Sequence, residues 1–278
     1  MRFIFTVNTL FLLLLLVTSC IHEEVCDELS EKENIKILPL WDASVKPPSR
    51  VFVQCYPQWG EIAVLNFIAS SGGKVYLQPG EYDLLLYTNT SSRIGFRNME
   101  SFDTAEAFVD RNTQPDELFC GSVADVEVQK GSVDRQITVP MIAMVYSYPF
   151  TYSGVTGLQY VSRVLVSVDG ISQAVKIASR TLSSVTYTTD CNYVLTNDGF
   201  YGTLRCFGHG TDDVRHTFTV RFEYGGQTLT KNYDVTEMLN VQGRIDIRDE
   251  LSFDPVEEGG LHTDVGDWED NTVDIPIN

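Results

Sequence analysis

From Ile35 onward the chain alternates apolar and polar positions in short runs, the period of strands with one buried face. Ile35 to Trp41 and Arg50 to Tyr56 read as strands separated by a loop, Asp42 to Ser49, that carries Pro47 and Pro48. Glu61 to Ile68, Gly73 to Leu77 and Gly80 to Thr88 follow, and Gln78-Pro79-Gly80 makes a tight turn before the last of them. Arg93 to Phe96 and Arg135 to Pro140 complete a first set, with a short helix predicted over Phe102 to Val109. A second set opens at Met141 to Tyr148. It continues through Leu158 to Asp169, where Val164, Val166 and Val168 alternate with Arg163, Leu165 and Ser167. Ile171, Ala174, Val175 and Ala178 fall at helical spacing and predict a second short helix, Ile171 to Ser179. Strands are then expected at 182–188, 193–196, 200–207, 214–224, 228–235 and 243–248, with Gly225-Gly226 as a hairpin turn. This spacing predicts an all-β chain of two successive β-sandwiches, 35–140 and 141–253, followed by a tail, 254–278.

The N-terminal segment has a different pattern. Arg2 precedes an unbroken apolar run, Phe11 to Val17, which is shorter than the ~20 residues a spanning helix requires. Small residues then lead to a cysteine, the layout of a secretory signal. Val17, Thr18, Ser19 and Cys20 resemble the lipobox of bacterial lipoproteins. That resemblance implies removal of residues 1–19, acylation of Cys20, and a lipid anchor in which each buried CH2 contributes ~0.8 kcal/mol. Glu23 and Glu24 resemble the acidic export signal of Bacteroidetes surface lipoproteins, which implies an outer-membrane protein facing the exterior. Residues 20–34 read as a charged, flexible tether.

Charge narrows the partners. Cleavage after Ser19 removes one basic residue, Arg2, and leaves 19 basic against 38 acidic residues, a formal charge of −19. Nucleic acid is therefore excluded as a partner, because phosphate binding needs clustered Lys and Arg. The tail carries eight acidic residues and no Lys or Arg, yet Val273, Ile275 and Ile277 alternate, which suits a strand that docks on a sheet edge.

The Cys20 lipobox, the Pro79-Gly80-Glu81-Tyr82 turn, Tyr87-Thr88-Asn89-Thr90, Ser101-Phe102-Asp103-Thr104-Ala105 and Asp267-Trp268-Glu269-Asp270 together resemble a Bacteroidetes lipoprotein family of uncharacterised domains. That family is related to the fimbrillin superfamily, which includes fimbrium anchoring subunits. The resemblance implies two tandem transthyretin-like Greek-key sandwiches and fimbrial subunits as partners, joined by strand addition. No protease-cleaved N-terminal strand is identifiable, so an anchor or accessory subunit, or an adhesin, fits better than a polymerising stalk subunit. Asp103-Thr104-Ala105 also resembles the Bacteroidetes O-glycosylation motif with Thr104 as acceptor; the alternative is an ordinary helix cap.

Five cysteines remain besides Cys20. Cys191 and Cys206 flank a strand-turn-strand unit and are candidates for a disulfide, with buried free thiols as the alternative. Catalytic motifs are not evident: Gly-x-Ser-x-Gly and the phosphate-binding Gly-rich loop are missing from the sequence. His209, Asp212, Asp213 and His216 lack a recognisable ligand spacing, so no metal, cofactor or catalytic residue is expected. The competing reading is a carbohydrate-binding lipoprotein beside a polysaccharide uptake system. It predicts an exposed aromatic platform, for which Trp41, Trp59 and Trp268 are the test and Trp59, Tyr152 and Tyr160 the exposed candidates.

Overall fold

The alternation is realised as an all-β sandwich fold, 60% strand and 4% helical. The computed structural model describes residues 32–60, 63–89, 92–110, 112–131, 135–209, 214–255 and 272–273. The lipobox, Cys20, Glu23, Glu24, Cys26, Thr90, Asp212, Asp213 and most of the tail lie outside them. In chain order the strands are β1 (Glu33–Leu40), β2 (Arg50–Pro57), β3 (Val64–Ala69), β4 (Gly73–Leu77), β5 (Gly80–Tyr87), β6 (Gly95–Arg97) and β7 (Glu106–Phe108). They continue with β8 (Phe119–Val128), β9 (Arg135–Pro140), β10 (Ile142–Ala143), β11 (Tyr146–Thr156), β12 (Arg163–Ser172) and β13 (Ala174–Lys176). The last are β14 (Thr186–Asp190), β15 (Tyr193–Thr196), β16 (Gly199–Cys206), β17 (Thr217–Tyr224), β18 (Gln227–Asp234), β19 (Ile245–Ser252) and β20 (Thr272–Val273).

The chain forms two units, Met1–Leu86 with Ser122–Pro140, and Tyr87–Gly121 with Met141–Asn278. In the first unit β1 lies between β4, antiparallel, and β9, parallel, with Lys36 opposite both Lys74 and Gln136. In the second sheet β8, β5, β2 and β3 follow one another in that order, so that β5 and β2 are flanked on both sides and β3 is terminal. Val51, Val53 and Cys55 alternate inward along β2, while Leu84, Leu85 and Leu86 of β5 are buried on both faces. Each such leucine contributes about 1.5–3 kcal/mol by leaving water.

The second unit holds a sheet in the order β15-β16-β11-β19 and another in the order β14-β12-β17-β18-β20. Val164, Val166 and Val168 point inward as the alternation requires, and Phe218, Val220 and Phe222 of the neighbouring β17 are fully buried on the same face. Gly225 and Gly226 join β17 to β18 with φ of 58° and 76°, a conformation that glycine adopts without strain.

Neither predicted helix forms: Phe102 to Thr104 is a turn that leads into β7, and Ile171 to Ser179 holds the end of β12, then β13, then a turn at 177–179. Ala105, Ala107 and Val109 are buried with polar or half-buried neighbours between them, and β7 pairs with β6 and, through Ala107 opposite Val175, with β13. Ile171 to Lys176 is buried on both faces, so its apolar positions fit a helix and a covered strand equally; pairing with β7 selects the strand. These pairs group residues 87–121, inside the expected first sandwich, with the second unit. Gln114 adds to this by donating to the Asp190 carbonyl and accepting from the Arg205 amide.

Candidate functional site

Each unit ends its sheets in strands whose edges present backbone donors and acceptors that another strand can use. In the first unit β3 ends its sheet, and Val64, Leu65 and Phe67 are 45%, 53% and 64% exposed. The Arg50 guanidinium lies 4.8 Å from the centre of the Phe67 ring. In the second unit β15 ends one sheet and exposes Val194 and Leu195. The other sheet ends at β20, where Thr272 and Val273 lie parallel to β18 opposite Asn232 and Tyr233. That pairing places part of the alternating tail on a sheet edge.

Beneath β18 the core carries a polar cluster. The Tyr152 hydroxyl donates to Asp249 Oδ2 at 2.7 Å and lies 2.8 Å from the Tyr233 hydroxyl, which also donates to Asp249. Burial acts to raise the Asp249 carboxyl, but the two tyrosine hydroxyls, the Glu250 amide and Lys231 outweigh it and hold the group below the usual carboxylate range. Both phenols are pushed well above theirs, first by burial. Neutral phenols therefore donate to an ionised carboxylate and tie β11, β18 and β19 together.

His216 is fully buried, and its ring stands edge-on to that of His209 at 5.6 Å. Burial pushes the His216 imidazole below its ordinary value of 6.5, and His209 acts in the same direction; the Asp169 carbonyl and the carboxylates of Asp234 and Asp169 oppose this without reversing it. The unfolded chain thus binds this proton more readily than the folded one. Stability from His216 is present above about pH 6.5 and declines as the pH falls below it, by at most about 1.4 kcal/mol per pH unit. Melting temperature measured from pH 7.5 to 5 should fall more steeply in the wild type than in His216→Leu. Parallel curves would remove histidine as the cause.

The remaining expected sites are distributed as follows. Cys191 and Cys206 are free thiols and not a disulfide; both are buried, and burial pushes each up to about 12, so they serve as small apolar core groups. Cys55 and Cys120 are likewise buried and free. Thr104 is exposed in a turn, with its hydroxyl 3.5 Å from the Asn98 carbonyl, and caps no helix. Of the aromatic candidates, Trp59 and Tyr160 are 42% and 41% exposed, whereas Tyr152 is core. Trp41 is half-buried and donates to the Ser70 carbonyl at 2.9 Å; Trp268 lies outside the described residues. The tyrosine and carboxylate cluster had no sequence signal, because its members are 16 to 97 residues apart.

The sheets of the two units define an all-β sandwich protein. Residues 19–191 match the family described as Domain of unknown function (DUF5119), and the chain belongs to that family. It is 25% identical over 173 residues to a candidate fimbrium anchoring subunit, Fim4B, of Bacteroides ovatus, a match covering 57% of this chain and 51% of the relative. The chain thus matches about half the length of that curated relative. Its fold is similar to that of a candidate adhesin from Bacteroides ovatus, with a TM-score of 0.71 at 19% identity over 81% of this chain and 94% of the other. It is also similar to the fimbrial anchor protein Mfa2 from Porphyromonas gingivalis, with a TM-score of 0.56 at 11% identity over 78% and 90% of the two chains. Among the described residues no helix is long and apolar enough to cross a membrane.

Proposed function

We propose that this chain is a non-catalytic, lipid-anchored surface protein that serves as an anchoring or accessory subunit of a fimbria-like assembly, or as an adhesin. The sequence match to a candidate fimbrium anchoring subunit carries this reading. The layout of Val17, Thr18, Ser19 and Cys20 supports attachment through lipid on Cys20, and Glu23 and Glu24 support exposure on the outer face of the outer membrane. The partner is a fimbrial subunit that contributes backbone hydrogen bonds to a sheet edge, the mode in which β20 of this chain already pairs with β18. Thr104, exposed in its turn, is available as an O-glycan acceptor.

A tagged protein recovered from intact cells, with and without Cys20→Ser, tests the proposal. Fimbrillin-like subunits should be retained with the lipidated protein and be reduced at least several-fold with the serine variant. Truncation after Asp254 should leave both units folded and weaken that retention. An unchanged recovery after truncation would remove the tail from the interface, and failure to retain any such subunit from a surface-exposed protein would overturn the anchoring role.

A further inference from the structure

The sequence holds one Asp-Pro pair, Asp254-Pro255, and it stands just after β19, where the acidic tail begins. The residue before it is fixed in place. Phe253 is 5% exposed, its ring packs on those of Phe222 and Tyr224, both at 5.2 Å, and its amide donates to the Thr156 carbonyl at 3.0 Å. Tyr224, the last residue of β17, donates its hydroxyl hydrogen to the main-chain carbonyl oxygen of Asp254. That oxygen belongs to the peptide bond between Asp254 and Pro255. A phenol thus touches the carbonyl of the one bond in the chain with aspartate on one side and proline on the other.

Three features of this bond act in the same direction. An aspartate carboxyl meets its own main-chain carbonyl carbon by closing a five-membered ring, so attack is intramolecular and requires only rotation of an exposed side chain. The proline nitrogen, bonded to three carbons, takes up a proton more readily than an ordinary amide nitrogen and leaves as a secondary amine. The Tyr224 hydroxyl contacts the oxygen on which negative charge develops as the carbonyl becomes tetrahedral, the position of an oxyanion donor.

We propose that the chain cleaves itself between Asp254 and Pro255. A carboxyl oxygen of Asp254 adds to the Asp254 carbonyl carbon, the bond from that carbon to the Pro255 nitrogen breaks, and the carboxyl proton passes to the nitrogen. Water then opens the cyclic anhydride left on Asp254, supplying one OH and one H, and restores two carboxyl groups. The net change is hydrolysis of one peptide bond, with water as the co-reactant. Residues 255–278, with seven of the tail's eight acidic groups, are thereby severed from the fold, and β20 stays beside β18 by non-covalent contacts alone. Every residue involved lies in the second unit, and the step does not depend on the fimbrial reading.

The purified chain from residue 20, bearing Cys20→Ser, tests this when it is held at pH 5 and pH 7 and followed by intact mass and N-terminal sequencing. A fragment beginning at Pro255 should accumulate, faster at pH 5 because the proline nitrogen must gain a proton. Tyr224→Phe keeps the ring and removes the donor, so it should slow scission at least fivefold with a melting temperature close to the parent. Asp254→Glu must close a larger ring and should be slower still. The same chain in urea, where Tyr224 no longer meets Asp254, should be cut at least fivefold more slowly than the folded one. No Pro255 fragment from the folded chain after several days at pH 5 would overturn the proposal. Equal rates in the parent, in Tyr224→Phe and in urea would overturn it too, by reducing the cut to the ordinary acid lability of an Asp-Pro bond. A cut that persists unchanged in Asp254→Glu would overturn it in favour of a co-purifying protease.

Discussion

Replacing Tyr152 with alanine is expected to destabilise the second unit by about 3–5 kcal/mol, the range for deleting a large aromatic side chain from a core. Its ring is 1% exposed, stacks on Phe200 at 4.9 Å with 8° between the planes, and meets Phe222 and Tyr233. The variant also deprives Asp249 of a donor, leaving a partly buried carboxylate to Tyr233 and the Glu250 amide. Tyr152→Phe separates the two effects. It keeps the ring and removes the hydroxyl, so its loss should be about 1–3 kcal/mol. Because hydrogen bonds hold Asp249 below its ordinary value of 3.8, its contribution is present above that pH and lost as the pH falls through the folded value. The difference between wild type and Tyr152→Phe should therefore shrink in strong acid. Urea unfolding at pH 7 and pH 3 measures both, and equal stability of the alanine variant and the wild type would show that this cluster does not hold the unit together.

Gly154→Val is expected to be nearly as damaging, at about 3 kcal/mol or more, for a reason that lies in the backbone. Gly154 has φ of 83°, and the register between β11 and β19 shifts between Ser153 and Val155, where Gly154 alone on β11 faces Asp249 and Glu250, so the extra residue of the bulge lies on β19 opposite the glycine. A Cβ here would overlap the Asp249 carbonyl oxygen. Valine therefore cannot enter without strain in the bulge, separation of β11 from β19, or both. The bulge also fixes where Asp249 stands relative to Tyr152, so the two substitutions act on one structure. They should be less than additive when combined. A denaturation midpoint for Gly154→Val equal to that of the wild type would contradict this account.

Strand positions were legible wherever one face is buried and the other wet. Val51, Val53 and Cys55 on β2 and Val164, Val166 and Val168 on β12 show the alternation in the sequence and the burial in the fold. It failed at Ile171 to Lys176, which is covered on both faces and therefore has no alternation to read. At Phe102 to Val109 the small residues Ala105 and Ala107 gave a weak signal, and the partner strand β13 that settles the matter is 68 residues away by the Ala107 to Val175 pair. For cysteine, proximity along a hairpin pattern suggested a bridge between Cys191 and Cys206, whereas the structure holds both as buried free thiols.

The sequence by itself determined the all-β class, the turn between β17 and β18, the acidic balance and the family resemblance, because each rests on local pattern or on composition. Tertiary structure decided which strands share a sheet, where the chain divides, and which side chains meet: Tyr152 with Tyr233 and Asp249. The physical reason is that a strand's own residues specify its buried face, while its neighbours are chosen by non-local hydrogen bonds and packing available only once the sheets assemble.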